Sequence, residues 1–198
     1  SSLVEIELPS SLQIINESIF KGCSSLKQIT IPSLVTSIES MSFSECSSLK
    51  EVMIPSSVKT IKASAFDCCS SLEEMTIPNS INQIDDAVFN GCSSLKEIII
   101  PSSVISIQSY AFCGCSSIVK ISIPDSVNII GENAFEDCIK LKEIEIDLYK
   151  THFYHNTFIK CQSLRTIKIT TKQDNLETNI KSYLDKIDNI RKIIINKN

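Results

Sequence analysis

Seven phenylalanines, Phe20, Phe43, Phe66, Phe89, Phe112, Phe135 and Phe158, stand 23 residues apart. A fixed step of this size marks an array of supersecondary units, each too small to bury its own apolar face, which become stable only by stacking on their neighbours. Two further series keep the same step: Pro9, Pro32, Pro55, Pro78, Pro101 and Pro124, and Cys23, Cys46, Cys69, Cys92, Cys115, Cys138 and Cys161. Three residues after each cysteine comes an aliphatic side chain: Leu26, Leu49, Leu72, Leu95, Ile118, Leu141 and Leu164.

One copy reads C-S-S-L-x-x-I-x-I-P-x-x-V-x-x-I-x-x-x-A-F-x-x. Its L-x-x-I-x-I part alternates as a half-buried strand does. In the fourth copy this places Ile98 and Ile100 inward and Glu97 and Ile99 outward. Proline then ends the strand, because it donates no hydrogen bond and holds the residue before it extended. The return segment, with Val58, Ile61, Ala65 and Phe66 three to four residues apart, suggests short helical or irregular turns.

Composition limits what such an array can meet. With 198 residues, 42% of them hydrophobic, the chain can bury a large core. Its net charge of -4, from 23 acids against 19 bases with no basic block, argues against a nucleic-acid partner. No apolar run is long enough to insert in a membrane, and no targeting segment stands at the front. The first copy opens in mid-motif at Ser1-Ser2-Leu3, which reads as a piece of a longer protein with an uncapped first rung.

The pattern C-S-S-L-K-x-I-x-I-P-x-S-V-x-x-I-x-x-x-A-F, clearest in residues 92–115, resembles the BspA-like class of irregular leucine-rich repeats, and the resemblance covers residues 1–170. It implies a leucine-rich-repeat solenoid of the α/β horseshoe class, mostly β. About eight or nine short parallel strands would line the concave face, with irregular turns and short helical segments outside. It also implies partner binding without catalysis, in a family that holds bacterial surface adhesins and many protist proteins. The expected partner is a protein. The alternatives are a structural element that self-associates through its solenoid ends and an intracellular scaffold or regulatory subunit of an enzyme. The resemblance points to the cell surface or secretion, whereas nine cysteines kept as thiols point to the cytoplasm. The sequon Asn16-Glu17-Ser18 matters only in the first case.

The period decays at the far end, where Asp147, Lys150 and Phe153 replace the expected proline, valine and isoleucine. Residues 1–170 therefore form the array and 171–198 a C-terminal cap. In the cap, Leu176, Ile180, Leu184 and Ile187 predict an amphipathic helix over 171–189, and Ile190, Ile193 and Ile195 predict a ninth strand over 190–195.

In horseshoes of the resembled class the outward strand positions of the concave face meet the partner. Here they fall in three columns: largely basic, largely acidic, and mixed. The candidate partner-binding residues are Lys50, Glu51 and Met53, then Glu73, Glu74 and Thr76, then Lys96, Glu97 and Ile99. Met53 and Ile99 are apolar among charges, as in a binding hot spot with its rim. Neighbouring basic and acidic columns can instead simply neutralise one another. A secondary patch is Tyr149, His152, Phe153, Tyr154 and His155, read either as a contact surface or as the repacking of a degenerate copy.

The seven repeated cysteines read as small buried hydrophobes, because identical positions on stacked rungs present parallel Cβ vectors unsuited to disulfides. Cys68 and Cys113 are extras, weighed as redox or soft-metal groups and set aside for want of a C-x-x-C pair. His152 and His155 with Cys138 or Cys161 were the remaining route to zinc. No metal, cofactor or catalytic residue is assigned: there is no G-x-S-x-G or P-loop, and four glycines cannot cradle a nucleotide.

Overall fold

The computed structural model describes residues 2–147, 151–154, 156–171 and 192–197. They form a succession of strands and turns repeated once per copy, with each copy stacked on the next in parallel register. Two rows of strands run along the stack, each divided into two hydrogen-bonded sheets among the described residues. The long-strand sheet contains β2 (Gln28–Thr30), β4 (Glu51–Met53), β6 (Glu74–Thr76), β8 (Glu97–Ile99), β10 (Lys120–Ser122), β12 (Glu143–Ile146), β14 (Thr166–Thr171) and β15 (Lys192–Lys197). Every pairing in it is parallel and almost all are displaced by one period, as in Glu74↔Glu97. β15 pairs with β14 through Ile167↔Ile193 and Ile169↔Ile195, a step of 26 residues in place of 23, and the first two residues of the strand expected over 190–195 lie outside the described residues.

The second sheet was not foreseen. Two-residue strands β1 (Ile14–Ile15), β3 (Ser37–Ile38), β5 (Thr60–Ile61), β7 (Gln83–Ile84), β9 (Ser106–Ile107), β11 (Ile129–Ile130) and β13 (His152–Phe153) also pair in parallel, with the ladder interrupted between β5 and β7 among the described residues. The return segment is thus extended, and the described residues contain no helix. The spacing of three from Val58 to Ile61 that suggested helical pitch has another origin. A tight turn follows each proline, closed by the Val58 N–H donating to the Pro55 carbonyl at 3.1 Å. A helical turn satisfies its own N–H groups, whereas stacked extended segments take partners from neighbouring copies, and 23-residue stacking supplies those neighbours everywhere. The helix predicted over 171–189 lies outside the described residues.

Between the sheets lies one continuous core. Leu72, Phe66, Cys69 and Val58 are wholly buried, and their equivalents in the interior copies with them. The phenylalanines form a spine in which successive rings stack with centroids 5.2–5.9 Å apart and planes 5–14° from parallel. The corner that carries this spine has its own hydrogen-bond ladder. The Phe43 N–H donates to the Ala65 carbonyl of the next copy (2.8 Å), and Met41 and Glu45 do likewise to Ala63 and Asp67 (3.1 and 2.7 Å).

Aiming alternate N–H groups along the stack requires left-handed backbone at two positions per copy. One series is Ser18, Met41, Ser64, Ala87, Tyr110 and Asn133; the other is Gly22, Glu45, Cys68, Gly91, Gly114, Asp137 and Lys160, all with φ between 54° and 70°. Non-glycine residues are strained there. That most copies tolerate the strain shows how strongly the corner ladder imposes this shape. Gly131 serves a different need: its φ is ordinary, but a Cβ would lie 2.5 Å from the Ser109 backbone nitrogen. Only glycine lets those two copies approach.

The divergent copy keeps its register by local repair. The Asp147 carbonyl accepts the Thr151 N–H at 3.0 Å, so the turn is one residue longer than the proline turns. Thr151 Oγ1 then donates to the Val127 carbonyl at 2.8 Å, a part played elsewhere by serines such as Ser126, whose Oγ reaches the Val104 carbonyl at 2.7 Å. Phe153 pairs with Ile130 and takes the buried isoleucine position, its ring edge-on to Phe158 at 5.7 Å.

Candidate functional site

The outward face of the long-strand sheet is set by the period-two alternation of its strands. Each three-residue strand buries its central side chain and exposes the two beside it, as in β4, β6 and β8. Lys50, Glu51, Glu74, Thr76, Lys96 and Glu97 are exposed and Glu73 is half-buried, while Met53 and Ile99 are 72% and 69% exposed. Six of the nine candidate residues therefore share the outward face of β4, β6 and β8, with Lys50, Glu73 and Lys96 immediately before these strands, and Thr76 pairs directly with Ile99 in the strand register.

The charges on this face are not balanced as neighbouring columns would suggest. Lys96 Nζ reaches Glu73 Oε2 at 2.6 Å within the first column. That hydrogen bond, with the attraction it carries, lowers the Glu73 carboxyl and raises the Lys96 amine from their usual values. Farther along, Glu143 is held between Lys168 at 2.8 Å and Lys120 at 3.1 Å, and its carboxyl is lowered, chiefly by the Lys168 hydrogen bond. By contrast Glu51, Glu74 and Glu97 are register neighbours of one another, and among the described residues no ion pair within 4.0 Å reaches any of the three. Stacked like charges on adjacent strands oppose folding slightly and remain open to an external cation.

Beside this acidic column the strand ladder is broken, although β8 and β10 remain adjacent. The Lys96 N–H donates to Glu73 and the Lys142 N–H to Val119 (3.2 and 2.8 Å), but among the described residues the ladder is interrupted between β8 and β10. A groove at this seam is lined by Lys96, Glu97, Ile99, Val119, Lys120 and Ser122. Val119 is 44% exposed. It was absent from the sequence candidates, although its signal was present: with Val4 it is one of two apolar residues in a column otherwise occupied by Lys27, Lys50, Glu73, Lys96, Lys142 and Arg165.

The secondary patch is divided. His152 is exposed and lies edge-on to Tyr154 at 5.5 Å, with Tyr154 42% exposed, but Phe153 is turned into the core at 1% exposure and cannot contact a partner. Alternation along β13 places His152 and Phe153 on opposite faces. Tyr149 and His155 lie outside the described residues. The zinc arrangement is not assembled either, because Cys138 and Cys161 are buried in the core while His152 faces outward.

All nine cysteines are free thiols. The repeated ones do more than fill space. Cys69 Sγ donates to the Phe43 carbonyl of the preceding copy at 3.2 Å, and Cys46, Cys92, Cys115, Cys138 and Cys161 repeat that bond at 3.1–3.3 Å. Cys68 and Cys113 sit two copies apart: the Cys68 N–H bonds the Asn90 carbonyl, and the Gly91 N–H the Cys113 carbonyl. Burial raises both thiols, Cys113 to about 11, and neighbouring Asp67 and Glu136 respectively add to the effect. Neither is an activated thiolate.

Parallel strands stacked at a 23-residue step, an inward leucine and isoleucine pattern and a phenylalanine spine define a leucine-rich-repeat solenoid of about seven turns. Within that class, the BspA type leucine rich repeat region matches residues 1–104 and 82–198, and the chain belongs to this family. No curated protein matches the chain in sequence. Among solved structures it is similar to the pneumococcal vaccine antigen PcpA, at 23% identity and TM-score 0.54, over 96% of this chain and 40% of that one. It is likewise similar to the T. pallidum leucine rich repeat protein, at 22% identity and TM-score 0.52, over 94% and 85% of the two chains. A leucine-rich repeat protein from Bacteroides ovatus matches at 21% identity and TM-score 0.48, and this chain, 93% covered, spans 64% of its length. The first two likenesses show the fold. Solenoids of this kind are generally non-enzymatic scaffolds for protein binding or adhesion.

Proposed function

We propose that this chain is a non-catalytic module that binds a protein partner on the outward face of β4, β6 and β8. The observation that carries this reading is the pair of exposed apolar side chains, Met53 and Ile99, set beside Glu51, Glu74 and Glu97, which no ion pair within 4.0 Å reaches among the described residues. A monomeric surface exposes single apolar residues routinely, but a flat, rigid face with apolar groups flanked by charge has the make-up of an interface core and rim. The stacked strands hold these groups in place before binding, so little ordering accompanies contact.

Photo-crosslinking tests the reading. A benzoylphenylalanine at Thr76, between Met53 and Ile99, is compared with one at Gln83, exposed on the short-strand sheet. In extract of the native cells, Thr76 is expected to give discrete adducts that Met53→Glu together with Ile99→Glu abolishes. Equal adducts from both positions would remove the assignment of this face.

A further inference from the structure

The two halves of the long-strand sheet differ in how far they satisfy their own charges, and the seam between β8 and β10 marks the change. On one side Glu51, Glu74 and Glu97 stack at adjacent-strand spacing, and among the described residues no cation comes within 4.0 Å of them, Lys96 acting on Glu74 only at longer range. On the other, the same column continues with Lys120 and Glu143, which pair with each other and with Lys168. An unneutralised column is a specific invitation to positive charge, since a bound cation relieves repulsion already present in the free protein. At the end of that column lies the groove, bounded by Ile99 and Val119, both exposed and apolar.

We infer that the partner presents a basic segment bearing apolar side chains, its cations lying along Glu51, Glu74 and Glu97 and one apolar side chain seated in the seam between Ile99 and Val119. This rests on the proposed binding face and adds the chemistry of what binds there. Charge complementarity selects a cationic partner over an anionic one, and the seam supplies the apolar contact that separates recognition from general attraction to an acidic chain. Because the carboxylates are exposed, salt weakens the cationic part, while the apolar contact persists.

Three fluorescein-labelled heptapeptides test it by anisotropy: alternating Lys and Leu, alternating Lys and Ser, and alternating Glu and Leu. The Lys–Leu peptide is expected to bind at least about tenfold more tightly than Lys–Ser, with Glu–Leu not measurably bound. Glu74→Lys with Glu97→Lys should abolish Lys–Leu binding and create Glu–Leu binding. Glu17→Lys with Glu132→Lys makes the same change in net charge at exposed acids off this face and should leave the ranking intact. Ile99→Ser with Val119→Ser should reduce Lys–Leu binding to the Lys–Ser level, and Glu74→Gln with Glu97→Gln gives a milder charge variant if reversal perturbs the fold. The inference is overturned if Lys–Leu fails to bind, if the off-face reversal weakens it as much as the on-face one, or if the seam variant changes nothing. Should the peptides fail while Thr76 still crosslinks a partner, only the assigned chemistry is lost; failure of both removes the face as well.

Discussion

The corner that carries the phenylalanine spine and the long-strand sheet facing away from it are built from the same copies, yet they obey different rules. From Phe20 to Phe135 the spine N–H groups donate to the next copy at each described step, with bonds of 2.8–3.0 Å. The sheet loses its ladder between β8 and β10 and stacks three like charges on one column. A fold can carry such interruptions on one face only if another face holds the copies in register. Corner, thiol bonds and ring stack form that face here. The sheet is consequently free to vary in its outward residues, which is the condition for using it to recognise something.

The largest effect expected from this division is sensitivity to alkali at the corner. Burial raises the thiols of Cys46 (to about 12), Cys69, Cys92 and Cys115, and a side-chain hydrogen bond with Cys161 together with burial raises Cys138. For an acid whose folded pKa is raised, the folded state holds its proton after the unfolded state has lost it. The stability is therefore fully present below the unfolded value of about 8.5 and is lost as pH climbs towards the folded one. Each thiol contributes about 1.4 kcal/mol per pH unit in that window. With five in register, cooperative unfolding is expected within about one to two units above pH 8.5, set against a total stability of about 5–15 kcal/mol. Circular dichroism against pH reads this directly, and Cys92→Ala should flatten the slope by one thiol's share. Constant stability from about pH 8 to 10 would contradict the corner's role.

A smaller contrast follows from substituting one residue on each face. Phe89 is stacked on both sides, 5.9 Å from Phe66 and 5.4 Å from Phe112, and 1% exposed. Phe89→Ala should cost about 3–5 kcal/mol in chemical denaturation, from lost burial and the cavity left in the spine. Met53→Ala, at 72% exposure, should change stability by no more than about 0.5 kcal/mol. Comparable losses from the two would show that the sheet contributes to the core as the corner does.

Much of this architecture was legible in the residues, and what escaped did so for physical reasons. Inward positions such as Leu72, Phe66 and Cys69 repeat because burial tolerates few alternatives, so the period located the core and the strand register. The short-strand sheet escaped because a turn of three residues imitates helical spacing. The left-handed corner escaped because only Gly22, Gly91 and Gly114 announce it, while Glu45, Cys68, Asp137 and Lys160 adopt the same backbone without a glycine's signal. On the candidate face, the exposure of Met53 and Ile99 followed from alternation alone. The seam beside Val119 did not, because an interrupted ladder is a property of two copies together and leaves no mark on either copy's motif.

The smallest expected effect bears on why the acidic column persists. If Glu51, Glu74 and Glu97 contribute nothing to folding, then Glu74→Lys, which places a cation between two carboxylates, should stabilise the chain by about 0.2–1 kcal/mol. Because the groups are exposed, that gain should fade in about 1 M salt, where screening acts within about 3 Å. Thermal denaturation at low and high salt measures it. A gain that salt removes means that the native column gives up stability that a single substitution restores, which is the signature of residues kept for contact with something outside the fold. A loss on substitution would mean instead that the carboxylates bond within the sheet, and the difference between the two faces would narrow to the interrupted ladder alone.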